Sequence, residues 1–359
     1  MSRGLFYFRC DSDDWDFLAA LATPLPFDAA VISDRYLAEY PKGHKREDEP
    51  RDRLVSALSQ LGAPWALDPD TARLEQSSSA TRQRPRAANR PLARALPLPL
   101  AIDRLARRGA VETLLGASVL HQVGSPAFAV PYLEVSGLDD PRFAINLQLL
   151  DGALGLAGDR RVVAYLQVLR SRLVDGTARS LVRRLVASGA QTVFVRVRRL
   201  DAEQATAEEL LAYAGVIQAG IDVGGRVVPD CVGRLGPTLV ATGADGFSAG
   251  AKHFRKLSDD LHPVGGGGGV PLLWEEPGRT QAAESASASP RCPVPSCPAP
   301  DGPGPDHAAT RVHNLHEFKG AARLAGREGL AYAARLLSSP SPVAQVWGSA
   351  LQELARRAA

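Results

Sequence analysis

Near the C-terminus, two cysteines and two histidines have the types and spacing that hold a zinc ion. Cys292 and Cys297 bracket Pro-Val-Pro-Ser, and His313 and His316 follow within Arg-Val-His-Asn-Leu-His. Zinc takes thiolate and imidazole in a tetrahedral shell, and a closed shell folds the segment that supplies it. The competing reading is two incidental thiols in a proline-rich linker. A second set of candidates lies upstream, where polar residues end or follow runs of apolar ones. These are Asp11 and Asp13, Asp34, Asp68 and Asp70, Glu134, Gln167, Arg196 and Arg198, Asp230, and Ser248. Carboxylates with one amide and two guanidiniums suit a ligand rich in hydrogen-bonding groups, such as a nucleobase or a sugar. Each alone has a bland reading as a loop cap or solvated charge; the recurrence is the signal. The stretch Gly243 to Gly250 adds glycines that let backbone amides approach a phosphate, with Lys252 and Arg255 just beyond.

The elements that must position these residues alternate between short apolar runs and amphipathic stretches. Residues 5–10, 29–33, 64–67, 127–130, 162–166, 191–195, 226–228 and 246–248 read as strands, and helices fall between them, as at 178–187 and 207–218. Near-continuous apolar strands separated by helices predict a parallel sheet covered on both faces. Eight such units in about 250 residues match a (β/α)8 TIM barrel, whose functional groups come from the C-terminal ends of its strands. A doubly wound open sheet is the alternative. The barrel is expected over residues 1–262, with a basic flexible insertion at about 75–99. A Gly/Ser/Pro-rich linker over 263–306 carries the two cysteines, and 307–359 is a C-terminal helical segment.

Composition excludes several classes. The chain has 359 residues, 45% of them hydrophobic, which is enough for one large α/β domain with an appendage, or for two domains. A net charge of +3 demands no anionic partner, and arginine supplies all but five of the 42 basic residues. Four cysteines in this length make no disulfide framework. The N-terminus shows no signal pattern, and no apolar run reaches the ~18 residues of a membrane helix. A cytoplasmic protein with reduced thiols and no membrane contact is the expectation.

With these residues in view, the chain resembles the tRNA-guanine transglycosylases, TIM barrels with a C-terminal zinc site. Cys292 and Cys297 keep the spacing of the first and third cysteines of that family's zinc run, and His313-Asn314-Leu315 reproduces its His-Asn-Leu triplet; Val294 stands at the middle cysteine. The resemblance implies zinc held by Cys292, Cys297 and His313, with His307 or His316 completing the shell. Tyr165-Leu166-Gln167 falls where the family has its base-binding glutamine, and Asp68 falls near its aspartate after strand three. Gly243-Ala244-Asp245-Gly246-Phe247-Ser248 resembles the segment whose last residue is the family's aspartate nucleophile; here that residue is Ser248.

The implied activity is base exchange on tRNA or DNA with guanine or a 7-deazaguanine, a pentosyltransferase reaction. Asp68, Asp230, Asp245 and Ser248 are the catalytic candidates, and Gln167, Glu134, Arg196 and Gly246 the substrate-binding ones. Such chemistry needs a carboxylate to attack the sugar C1′, an acid or base for the leaving nitrogen, and a pocket for a flipped base. Arg82 to Arg94 would contact phosphates. Two alternatives stand beside it. One is a non-catalytic nucleic-acid-binding paralogue, as a homodimer or paired with an active subunit. The other is an unrelated barrel enzyme binding a phosphorylated small molecule.

Overall fold

The apolar runs form strands, as their β-branched and aromatic content favours. A computed structural model describes residues 4–10, 14–19, 21, 23–33, 50–72, 102–107, 109–201, 205–251, 271–273, 280–282 and 307–359. The basic insertion at 75–99, Asp11, Asp13 and Asp34, and Cys292 and Cys297 lie outside the described residues, as does most of the 263–306 linker.

The chain begins with β1 (Leu5–Cys10), α1 (Trp15–Ala19), β2 (Ala29–Ser33), α2 (Pro50–Gln60) and β3 (Trp65–Asp68). It continues with α3 (Ile102–Leu105), α4 (Ala110–His121), β4 (Ala127–Ala129), α5 (Pro141–Leu156) and β5 (Arg161–Leu169). Next come α6 (Arg170–Val174), α7 (Thr177–Ala187), β6 (Thr192–Arg198), α8 (Ala207–Ile221), β7 (Arg226–Asp230), α9 (Gly236–Ala241) and β8 (Gly246–Gly250). A small antiparallel pair, β9 (Pro271–Leu273) with β10 (Thr280–Ala282), precedes the helices α10 (His307–Glu328), α11 (Ala333–Ser338) and α12 (Pro342–Ala358).

The first eight strands form two four-stranded sheets, ordered β3-β2-β1-β8 and β4-β5-β6-β7, with every pairing parallel. Where β7 meets β8, the Asp245 N–H donates to the Val227 carbonyl at 3.1 Å and the Val232 N–H to the Ser248 carbonyl at 3.2 Å. Where β3 meets β4, the Ser125 hydroxyl donates to the Trp65 carbonyl at 3.2 Å. The protein is thus an α/β fold of parallel strands with a C-terminal helical extension.

Strand alternation sorts side chains onto two faces. On β6, Val193, Val195 and Val197 join the large core beneath the helices, while Phe194 joins a smaller cluster with Tyr7, Val31, Tyr132, Tyr165 and Val228. The helices supply matching stripes. On α7, Leu181, Val182, Leu185 and Val186 are buried, spaced as one helical face requires. The start of α8 is fixed by a capping box: the Glu209 N–H donates to Thr206 Oγ1 at 3.2 Å, and the Thr206 N–H to Glu209 Oε2 at 2.8 Å. The Tyr213 hydroxyl then donates to the Val195 carbonyl at 2.6 Å, fastening α8 to β6.

The helix α10 covers β1 and packs on α9. Phe318 lies with Phe6 and Phe247, ring centroids 5.3 and 5.6 Å away. Lys319 Nζ donates to the carbonyls of Leu25 and Phe27 at 2.7 and 3.0 Å. Gly4, at φ +95°, passes so close that a Cβ there would sit 2.4 Å from the Ala322 carbonyl oxygen. The His-Asn-Leu triplet lies inside this helix. Asn314 is fully buried and donates to the Ala251 carbonyl at 3.2 Å. No described helix is long and apolar enough to cross a membrane.

Candidate functional site

The inner face of the strands carries charge at one end. Arg9 comes from β1, Asp68 ends β3, Arg196 lies on β6, and Asp230 ends β7 directly opposite Arg196 in register. Arg196 Nε donates to Asp230 Oδ2 at 2.8 Å. Its Nη2 donates to Asp68 Oδ2 at 2.5 Å, and its Nη1 to the Tyr132 hydroxyl at 2.6 Å and to Asp70 Oδ1 at 3.3 Å. Arg9 reaches the same two carboxylates: Nη1 donates to Asp230 Oδ1 at 2.9 Å, and Nη2 to Asp68. The Tyr132 hydroxyl donates to Asp68 Oδ1 at 3.1 Å. Arg196 is 1% exposed and Asp68 0%, so water screens this network little.

Burial by itself would raise the Asp68 carboxyl. The Arg196 and Arg9 guanidiniums outweigh it, with hydrogen bonds from Arg196 and the Asp70 N–H, and hold it well below the usual carboxylate range. Burial works likewise to lower Arg9 and Arg196, and Asp230 and Asp68 reverse it, so both stay charged. An uncompensated buried charge is costly, and here Asp68 and Asp230 each meet both guanidiniums, and Arg9 and Arg196 each meet both of these carboxylates. Asp70 and Cys231, just past β3 and β7, both adopt left-handed backbone, at φ 45° and 58°.

Ser248 is fully buried on β8. Its hydroxyl donates to Asp230 and accepts from the Cys231 N–H at 3.0 Å. Asp230 thus holds the Ser248 hydroxyl and both guanidiniums at once. The Cys231 thiol is pushed up to about 11, by burial first and by Asp230, against the pull of Arg9.

Beside the network lies a more open triplet. Gln167 follows Tyr165 on the inner face of β5, and Glu134 bridges to it from the segment after β4. Gln167 Nε2 donates to Glu134 Oε2 at 3.0 Å, and Arg198 Nη2 lies 2.8 Å from Glu134 Oε1. The Glu134 and Arg198 side chains are each 19% exposed. The Gln167 Oε1 atom and the Tyr165 hydroxyl are buried with no hydrogen-bond partner among the described residues. Buried polar atoms are nearly always satisfied, which makes this amide oxygen an acceptor waiting for a donor. The Tyr165 ring stacks on Tyr132 at 5.0 Å beneath the Arg196 guanidinium.

The structure therefore gathers Asp68, Asp230, Ser248 and Arg196 in one network, and Glu134 and Gln167 beside it. Asp245 and Gly246 do not join them. Asp245 precedes β8 and Gly246 is its first residue, whereas Asp68 and Asp230 close their strands, so the two lie at opposite ends of the parallel sheet. Asp245 instead raises the Tyr7 hydroxyl, second to burial. Gly246 is there for packing: a Cβ would come 2.3 Å from the Leu5 carbonyl oxygen. His313 is buried and His316 half-buried on α10, and burial, with His313 and Lys319, lowers the His316 imidazole. Among the described residues no group of three His, Cys, Asp or Glu side chains is arranged so that it could hold a metal ion. Arg9, Tyr132 and Tyr165 are the members that sequence reasoning missed. Arg9 did leave one signal, as the lone charge in the apolar run Leu-Phe-Tyr-Phe-Arg-Cys.

No protein-family model and no curated protein matches the sequence. Among solved structures, the chain is similar to a psychrophilic glycoside hydrolase family 10 endo-β-1,4-xylanase, with 8% identity and a TM-score of 0.42 over 74% of this chain and 90% of that one. It is also similar to a nitroalkane oxidase from Streptomyces ansochromogenes, with 14% identity and a TM-score of 0.35 over 100% and 99%. Likeness at this level bears on neither activity nor ligand.

Proposed function

We propose that the chain is a nucleobase-binding protein of the transglycosylase-like kind that does not exchange the base it holds, its two sheets being halves of a closed (β/α)8 barrel. One observation carries this reading. Asp68 and Asp230, the carboxylates placed to attack a sugar C1′, are each tied to both Arg9 and Arg196. A nucleophilic carboxylate needs an uncommitted oxygen, and each oxygen of Asp68 and Asp230 already meets two donors. The residue at the family's nucleophile position, Ser248, spends its proton on Asp230.

Binding is supported by the Glu134, Gln167 and Arg198 triplet. It offers a carboxylate, an unsatisfied amide oxygen and a guanidinium along one edge. A guanine-type base presents the complement: N–H donors for Glu134 and Gln167 Oε1, and a carbonyl acceptor for Arg198. The base would arrive flipped out of tRNA or DNA, or as the free heterocycle.

Calorimetric titration with guanine, 7-deazaguanine and adenine tests the binding. Guanine and its deaza analogue are expected to bind and adenine not; Gln167→Leu is expected to lose about tenfold or more. Labelled guanine incubated with the protein and tRNA or duplex DNA tests the second half, with no incorporation expected. Incorporation would restore the exchange reading, with Asp230 released from its arginines during turnover. A nucleic-acid affinity that does not fall with salt would remove tRNA and DNA as partners. Zinc held by Cys292, Cys297, His313 and His316 belongs to the same proposal, and metal analysis giving about one zinc per chain is its test.

A further inference from the structure

A cavity of about 380 Å³ lies on the outer surface, where α7, α8 and α12 meet. That volume is within the range of small-molecule sites. Three guanidiniums line it, Arg179 and Arg183 from α7 and Arg357 from α12, against one carboxylate, Asp222 at the end of α8. Arg183 pairs with Asp222 at 3.0 Å, and Arg357 with Glu353 of its own helix at 2.9 Å. Arg179 has no carboxylate or hydrogen-bond partner among the described residues. Gly215, in the middle of α8, leaves room for it: a Cβ there would come 2.3 Å from Arg179 Nη2 and 2.9 Å from Cζ. The guanidinium lies on bare helix backbone, in space that any other residue at 215 would fill. Leu211, Leu330 and Leu354 give the same cavity an apolar wall.

The geometry points to a second binding site here, for a small organic phosphate. The phosphoryl group meets Arg179, with Arg183 and Arg357 flanking it, and the organic body lies on the three leucines. One carboxylate can occupy one guanidinium fork, whereas a tetrahedral dianion has oxygens enough for three, so phosphate fits this lining better. The site shares no residue with the triplet at the strand ends and stands or falls independently of the base-binding reading.

The test is calorimetric titration of the full chain with phenyl phosphate, inorganic phosphate and benzyl alcohol. Phenyl phosphate is expected to bind more tightly than inorganic phosphate, and benzyl alcohol not at all. Arg179→Gln is expected to weaken phenyl phosphate about tenfold or more. Gly215→Ala should do the same by displacing the guanidinium, and Arg142→Gln, on another helix, should change nothing. Arg179 is exposed, so circular dichroism matching the unsubstituted chain will confirm that its variant is folded. Phenyl phosphate binding equally well to Arg179→Gln overturns the site. So does inorganic phosphate binding as tightly as the phenyl ester, since the leucine wall would then have no role.

Discussion

Arg196 holds Asp68 and Asp230 together from a position 1% exposed. Replacing it with methionine keeps much of its bulk but leaves two buried carboxylates to share Arg9. Breaking a buried ion pair from one side costs about 3–5 kcal/mol, and Arg196→Met is expected to lose that much in urea unfolding. A loss under about 1 kcal/mol would show that the carboxylates find other partners. The pH dependence follows from Asp68, whose carboxyl lies below its ordinary value in the folded chain. Its contribution is complete above the unfolded value of about 4 and is lost as pH falls through the lower folded value. Melting temperature is therefore expected to hold from neutrality to about pH 5 and to drop in acid, and less steeply in Asp68→Asn. Cys231 offers a third check. With its thiol pushed up to about 11, it should resist iodoacetamide at pH 8 in the native chain and react once the chain is unfolded, as peptide mapping would report. Asp68, Asp230, Ser248 and Arg196 were legible in the sequence because each ends or interrupts an apolar run. Tyr132 was not, because a tyrosine beyond a strand looks like any half-buried aromatic until its hydroxyl is seen between Asp68 and Arg196.

At the scale of elements, the apolar pattern located all eight parallel strands but misjudged where some stop. The sixth was expected to end at Val195, yet β6 runs on to Arg198, and β5 runs past Leu166 to Leu169. Charge at an inward position is invisible to a hydrophobic pattern, and Arg196 and Arg198 lie on that inner face. The C-terminal helical segment was expected over 307–359, and α10 starts at His307; its first turns bury Thr310, His313 and Asn314, polar residues that leave only a faint helical stripe. The close passage of β1 under α10 depends on one glycine. Gly4→Ala must adopt φ +95° and push against the Ala322 carbonyl, so a loss of about 1–3 kcal/mol is expected in thermal or urea unfolding. The capping box on α8 is a milder case. Thr206→Ala removes the acceptor for the Glu209 N–H and is expected to cost about 0.5–2 kcal/mol.

For the whole molecule, the inner ion pairs add to the few backbone hydrogen bonds between β7 and β8 in joining one sheet to the other. Arg9 and Asp68 belong to the first sheet, and Arg196 and Asp230 to the second, and each arginine bonds across to the carboxylate of the opposite sheet. Unfolding is accordingly expected as one transition, with peptide circular dichroism and tryptophan fluorescence falling together. An early, separate loss of fluorescence would mean that the two halves melt alone. The parallel α/β class was readable from the alternation of elements, whereas this fastening was not, because it pairs residues remote in the chain. Arg9 meets Asp230 across 221 positions. On a ribosome adding 5–20 residues per second, the first strand would wait roughly 10 to 45 s for the second of its two carboxylate partners. Over that interval the nascent N-terminal half can offer Arg9 only Asp68, one of the two carboxylates it meets in the folded chain. Vectorial synthesis thus sets the order of assembly: the fastening between the opening strands and the second sheet waits until about two thirds of the polypeptide has been made.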